Sequence, residues 1–301
     1  MRILVFGAGG VGGYLGAKLW HAGHDVTFVA RGEHLSAMKQ HGLLLRTPEL
    51  NIHVTASFTD SLIDHPTVDF IIVAVKSFDT RASADLFKPV LRETTAVLSI
   101  QNGVENESVL AEVLGSSHIL AGVANIFSTI AAPGIIQQYG STAKFKFGES
   151  DGRMSARCRD LEAMFRTAGT DFEQVEDVQK YLWEKWVFIC GLGGMTAFTR
   201  IPIGDILADP QMCEMLEQVV RETTAVSRAM RVSDFAGLEE RTLSRYRRLP
   251  ATHTSSMYFD VMHGKRVEIE ALNGAAVRFG RTNNLQTPAN LRIYKKLSQF
   301  A

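Results

Sequence analysis

The chain has 301 residues, 46% hydrophobic and 21% charged, the composition of a globular protein long enough for two domains. Its 32 Lys and Arg balance 32 Asp and Glu, so no basic excess points to nucleic acid or to an anionic membrane. Three cysteines, Cys158, Cys190 and Cys213, are widely spaced with no C-x-x-C, which argues against a disulfide framework or structural zinc and fits a reducing cytosol.

The apolar run after Met1-Arg2 is too short for a signal peptide. The longest apolar stretch, Trp186 to Phe198, is 13 residues with four Gly or polar interruptions, too short to span a bilayer. The expectation is a cytoplasmic protein with no membrane partner.

Ile3 to Phe6 is a continuous apolar run, as in a strand buried on both faces of a parallel sheet. Gly7-Ala8-Gly9-Gly10-Val11-Gly12 follows, with Gly7, Gly9 and Gly12 in G-x-G-x-x-G register, and then a helix with apolar period Val11, Leu15, Leu19. Gly7 permits the tight turn, Gly9 lets a pyrophosphate approach the backbone, and Gly12 lets the helix sit close to the sheet. The helix N-terminus offers N–H groups and partial positive charge to phosphates. The motif predicts a dinucleotide site over residues 7–12; a merely Gly-rich turn is the plain alternative.

Gly23 ends that helix, and His24 to Ala30 reads as the second strand. NAD-binding sites of this kind carry an acid near the strand end. Here Arg31 stands after Ala30, and its guanidinium can pair with a 2′-phosphate. The expected cofactor is therefore NADP(H), against the alternative of a solvated surface arginine. Phe70 to Val75 is another buried strand. Lys76 follows it, where ligands sit in open α/β sheets; the other reading is a solvated loop lysine. Ala96 to Ile100 is a strand leading into Gln101-Asn102-Gly103. Asn102 suits a sharp turn, yet its place at a strand's carboxyl end also suits ligand contact.

Residues 118–148 read as β structure: Ile119 to Ile130, a turn at Pro133-Gly134, Gly134 to Tyr139, and Lys144 to Gly148. Leu161, Met164, Phe165 and Ala168 mark a helix stopped by Gly169, and Phe172 to Val175 reads as the last strand. Beyond Asp177, a candidate N-cap, the pattern is helical. The first of these helices runs from Val178 to about Phe198 and carries Lys185 between Trp183 and Trp186. A lysine there can have a depressed pKa suited to a proton donor, or it can snorkel to the surface beside Glu184. Gly191, Gly193 and Gly194 allow close approach of a backbone or a ligand. Further helices are predicted at Met212 to Met230, Gly237 to Arg248, Glu268 to Gly280 and from Ala289 onward. Ser255 or Ser256 suits a helix cap, and Glu268 an exposed first-turn acid. The fold class is therefore α/β, with an N-terminal Rossmann-type doubly wound sheet over residues 1–176 and an all-α domain over residues 177–301.

Together, G-A-G-G-V-G, A-V-K ending at Lys76, Q-N-G around Asn102, W-x-K at Lys185, S-S-M from Ser255 and V-E-I-E-A-L-N-G holding Glu268 resemble the ketopantoate reductase family (2-dehydropantoate 2-reductase). The resemblance covers nearly the whole chain. It implies NADPH-dependent reduction of a small 2-keto acid to a 2-hydroxy acid, in the pantothenate pathway if the substrate is ketopantoate. It implies Lys185 as general acid and Glu268 as the supporting acid near the nicotinamide. It also implies Asn102 as a contact to cofactor and substrate, Ser256 as a substrate-binding hydroxyl, and Lys76 and Arg31 as cofactor-proximal cations. The chain departs from the family where asparagines usually hold the substrate: Ile189, Gly193, Ile203 and His253 stand there. Losing those amides favours a more apolar 2-keto acid or related ketone, and motivates an alternative, an NADP(H)-binding sensor without turnover. A His-catalysed hydroxy-acid dehydrogenase would need a His–Asp pair, for which only His253 is placed. His21 and His24 lack a third metal ligand, so no metal is expected. A homodimer is left open.

Overall fold

The computed structural model describes residues 1–230 and 233–301. Unit 1 comprises Met1–Gln101 and Glu105–Val178; unit 2 comprises Asn102–Val104 and Gln179–Ala301.

Unit 1 runs β1 Arg2–Phe6, α1 Gly10–His21, β2 Asp25–Val29, α2 Gly32–His41, β3 Leu43–Arg46, β4 Asn51–Val54 and β5 Ser57–Thr59. It continues with β6 Phe70–Val73, α3 Thr80–Phe87, β7 Ala96–Ser99, α4 Asn106–Leu114, β8 Ile119–Ala132, β9 Ile135–Gly148, α5 Ala156–Thr167 and β10 Asp171–Gln174. The strands form one sheet in the order β4-β3-β9-β8-β7-β6-β1-β2-β5, with β10 beside β9. Every pairing from β8 to β5 is parallel. The chain builds outward from β1 to β2 and β5, then returns to β6, β7 and β8 on the other side. The order therefore reverses between β1 and β6, and ligands bind in such sheets beyond the carboxyl ends at that reversal.

The apolar runs behave as two-sided strands. Ile3, Val5, Ile72 and Leu98 enter the core that holds Leu15 of α1 and Phe165 of α5. Leu4, Phe6, Ile71, Val73 and Val97 enter the opposite core with Phe87 of α3 and Leu110 of α4. Successive side chains point to opposite faces, so a strand covered on both sides must be apolar throughout. Each such side chain contributes about 1.5–3 kcal/mol on full burial.

Residues 118–148 differ from the three-strand reading. They form one long hairpin, and β9 is continuous through Tyr139–Lys144, with its register against β8 slipping between Ile126 and Phe127. Its first half pairs with β3 and its second half with β10. Gly140, at φ +68°, looks like a terminator in sequence but sits within the strand.

Unit 2 runs α6 Val178–Thr199, α7 Ile203–Ala208, α8 Pro210–Ala229, α9 Leu238–Arg247, α10 Ser256–Met262, α11 Ala275–Thr282 and α12 Pro288–Leu297. The Asp209 carboxylate caps α8 by accepting the N–H groups of Gln211 and Met212 at 2.9 Å, with Pro210 at the first helical position. Trp186, Val187, Met195, Leu216, Val219, Tyr246 and Ile293 share its core. A buried polar chain crosses it. Glu222 accepts the N–H groups of Ala289 and Asn290, which open α12, and the Asn290 amide. The Asn273 amide donates to Asn290 Oδ1 at 2.9 Å and to the Cys190 carbonyl at 3.3 Å. No described helix is long and apolar enough to cross a membrane.

Candidate active site

The Gly-rich turn sits at the carboxyl end of β1, beside the reversal of strand order. Gly7 has φ +102°, a conformation that an L side chain resists. A Cβ on Gly12 would strike the Gly7 carbonyl and come within 2.9 Å of Ala74 Cβ, so Gly12 sets the depth at which α1 lies on the sheet. A Cβ on Gly9 would meet nothing within 4 Å. Gly9 is thus the one glycine of the triplet whose missing side chain opens space instead of admitting protein. No side chain caps α1 and no acid occupies its first turn, which leaves that end suited to an anion. These features fit a dinucleotide pyrophosphate at residues 7–12.

Gly10 and Gly13 have another purpose. A Cβ on Gly10 would collide with the Ser128 backbone, and one on Gly13 would approach Ile136 Cγ1 to 2.8 Å. The β8–β9 hairpin packs onto the start of α1, and Ser128 Oγ donates to the Gly10 carbonyl at 2.9 Å.

His34 braces the same turn, and sequence reading missed it. Its Nδ1 accepts the Gly134 N–H at 3.0 Å, and its Nε2 lies 2.9 Å from the Ala8 carbonyl. A backbone N–H only donates and a carbonyl only accepts, so the ring is the neutral Nε2–H tautomer. Burial pushes its pKa down, and the bond to Ala8 opposes that shift.

Arg31 lies between β2 and α2, mostly exposed, with its guanidinium 2.6 Å from Asp79 Oδ2. Lys76 is half-buried in the segment after β6 and precedes a short 3-10 turn, Ser77–Asp79. Gln101, the residue before Asn102, is buried. Its amide donates to the Val75 carbonyl at 3.0 Å and to Thr80 Oγ1 at 2.8 Å, tying together the segments that follow β6 and β7.

Unit 2 holds the remaining predicted site residues: Asn102, Lys185, Ser256 and Glu268. Asn102 and Lys185 are half-buried and Ser256 is exposed. Ser255, not Ser256, caps α10 by accepting the Tyr258 N–H at 3.0 Å, and its hydroxyl lies 2.8 Å from Thr196 Oγ1 of α6. Glu268 departs from the exposed first-turn expectation. It is buried, 7% exposed, and stands ahead of the helix. The turn that follows it, Glu270–Gly274, is π-helical, an element often found at functional sites.

On α6, Lys185, Ile189, Gly193 and Thr196 fall at i, i+4, i+8 and i+11, so they share one face. The three neighbouring glycines differ. A Cβ on Gly191 would strike the Tyr246 hydroxyl, which donates to the Phe188 carbonyl at 2.6 Å. One on Gly194 would press on the Asn273 amide at 2.8 Å. One on Gly193 would meet only the Met257 methyl, at 3.5 Å. The face bearing Lys185 therefore has room at Gly193, where the helix packing elsewhere has none. His253 accepts the Ile203 N–H through its carbonyl at 2.9 Å, and burial, then the charge of Arg245, lowers its imidazole pKa. Burial pushes the Cys190 thiol well up, so it is an inert packing group. Among the described residues no cluster of three His, Cys, Asp or Glu side chains could hold a metal ion.

Residues 3–152 match the family model described as "Ketopantoate reductase PanE/ApbA", and residues 177–301 match "Ketopantoate reductase PanE/ApbA C terminal". The chain is 32% identical over 292 residues to the 2-dehydropantoate 2-reductase of Archaeoglobus fulgidus, covering 96% of this chain and 94% of that one. The crystal structure of a PanE/ApbA family ketopantoate reductase from Ralstonia eutropha superposes with a TM-score of 0.91 at 30% identity, covering 100% and 98% of the two chains. That of 2-dehydropantoate 2-reductase from Geobacter metallireducens gives 0.92 at 27% identity, covering 100% of each.

Proposed function

The chain belongs to the ketopantoate reductase family, and from that premise we propose that it reduces the keto group of a 2-keto acid with NADPH. Members of the family are nicotinamide-dependent oxidoreductases acting on a CH–OH group, and this chain is one. The proposal adds the phosphorylated cofactor and the substrate class, ketopantoate or a more apolar 2-keto acid.

The observation that carries it is the open space beside Gly9 at an uncapped, acid-free helix start. The pyrophosphate is held by the backbone N–H groups of residues 7–12, with Arg31 at the 2′-phosphate and Lys76 as a second cation. The bound nicotinamide supplies the hydride. Lys185 gives a proton to the carbonyl oxygen as that oxygen gains charge, work in which a positioned acid contributes about 10²–10⁴-fold. Glu268, buried and ahead of the π-helical turn, orients the reacting groups. Asn102 and Ser256 hold substrate oxygens. At Ile189 and Gly193 the face bearing Lys185 offers no amide, which favours an alkyl substituent over a hydroxylated one.

The test follows NADPH absorbance against a panel of 2-keto acids that includes ketopantoate. Oxidation with at least one member, lost by about 10²-fold or more in Lys185→Ala, is the expected result. Binding of NADPH with no oxidation by any member would leave a cofactor-binding sensor in its place, and near-normal turnover by Lys185→Ala would remove the acid role.

A further inference from the structure

Four arginines lie near one another in sequence on and just after α9. Arg241 pairs with Glu184 at 2.8 Å, Arg247 lies 3.6 Å from Glu217, and Arg248 donates to Ser244. Arg245 is different. Among the described residues no carboxylate comes within ion-pair range of it, and its guanidinium carbon sits 4.0 Å from the centroid of the Phe188 ring. Burial lowers its pKa, and the Tyr246 phenol opposes that shift. The side chain remains exposed. Exposed, stacked on an aromatic face and with no described carboxylate beside it, the guanidinium keeps hydrogen-bonding capacity available to an anion.

Its position gives the anion a chemistry. The Arg241–Glu184 pair and the Arg245–Phe188 stack are successive turns of α9 along α6. Phe188 follows Lys185 by three residues, a rise of about 4.5 Å, and flanks the face described above on its Lys185 side. Arg245 also acts electrostatically on His253, which stands where the family resemblance puts an asparagine. Resting on the 2-keto acid reading, we propose that Arg245 is the anchor for the substrate carboxylate. The face of α6 from Lys185 to Gly193 then carries the keto group and the apolar substituent. A planar guanidinium suits this task because it grips a carboxylate through two parallel hydrogen bonds, and its stacking on Phe188 holds the fork in place. It would compensate in part for amides missing at Ile189 and Gly193.

The test uses Arg245→Met, which keeps an aliphatic stem over Phe188, and Arg245→Lys, which keeps charge without the fork. Steady-state kinetics with NADPH compare a branched aliphatic 2-keto acid with its methyl ester. Arg245→Met is expected to raise KM for the acid by about 10–100-fold, with KM for NADPH unmoved and a thermal midpoint near that of the parent. The preference in kcat/KM for acid over ester falls by the same factor, and Arg245→Lys lies between. An unchanged KM for the acid in Arg245→Met overturns the proposal while leaving the reductase reading intact. If the parent oxidises no NADPH with any 2-keto acid, calorimetric titration of the same acid into the NADP⁺-loaded protein decides separately. Binding that is present in the parent and lost in Arg245→Met supports the carboxylate site without catalysis; no binding to the parent, or equal binding to both, overturns it.

Discussion

The Arg31 guanidinium holds an Asp79 carboxylate oxygen at 2.6 Å, with Arg31 79% exposed and Asp79 26%. The two residues lie beyond the carboxyl ends of β2 and β6, on either side of β1. An exposed pair of this kind contributes about 0–1 kcal/mol, so Arg31 is readily recruited by a stronger anion. Asp79, however, stays close enough to repel one. Asp79→Asn is expected to raise the ratio of kcat/KM for NADPH over NADH by about 3–10-fold, and Arg31→Ala to lower it by about 10-fold or more. The ratios come from initial rates with each cofactor. A ratio that neither variant moves would take the 2′-phosphate away from Arg31.

His34 predicts an acid-side loss of stability. Its folded-state pKa is below the ordinary value of about 6.5, through burial opposed by the Ala8 bond. Between the folded value and the ordinary one, the unfolded chain binds the proton and the folded chain does not. Stability therefore rises with pH across that window and is lost as pH falls through it. Protonation also destroys the acceptor that holds the Gly134 N–H. The expected outcome is a smaller drop in thermal midpoint from pH 7.5 to pH 5.5 in His34→Gln than in the parent. His24 and His253 shift in the same direction, so part of the drop should persist.

Gly9 and Gly12 separate binding from folding. Gly9→Ala places a methyl in open space, so its stability should stay within about 1 kcal/mol of the parent. Its affinity for NADPH should fall by at least about 10-fold, because the methyl occupies the pyrophosphate's approach. Gly12→Ala drives a methyl into the Gly7 carbonyl and should cost about 1–3 kcal/mol. Urea unfolding and cofactor fluorescence titration check both. Full NADPH affinity in Gly9→Ala would move the dinucleotide elsewhere.

The glycines of α6 make a second contrast. Gly193→Ala meets only the Met257 methyl at ordinary contact distance and should stabilise the helix by about 0.5–1 kcal/mol. Gly191→Ala displaces the Tyr246 hydroxyl from the Phe188 carbonyl, a buried hydrogen bond whose disruption costs about 1–3 kcal/mol. Opposite signs in the urea midpoint are expected. Equal destabilisation by both would mean that Gly193 is as tightly packed as its neighbour.

Much of the architecture was legible because it is local. Apolar runs such as Ile3–Phe6 and Phe70–Val73 declare two-sided burial, and the Gly7, Gly9, Gly12 spacing declares a strand-to-helix turn. Residues 32–69 were not legible. β3 and β4 have four residues each and β5 has three, too few for a period to register. The continuity of β9 through Gly140 was hidden because two different neighbours, β3 and β10, support its two halves.

The sequence by itself determined where the backbone can turn and which segments must be buried, and it offered candidate residues for phosphate binding and proton donation. Periodicity and backbone freedom are properties of adjacent residues, so they can be read in one dimension. Only the tertiary structure decided which charges are partnered. Arg31 meets Asp79 from 48 residues away and His34 meets Gly134 from 100, while Arg245, stacked on Phe188, meets no acid among the described residues. Glu268 is likewise buried, ahead of a π-helical turn, though no pattern around it in sequence declares burial. The strength of a charge depends on its solvent and its partners, and those are supplied by chain segments that proximity in sequence does not foretell.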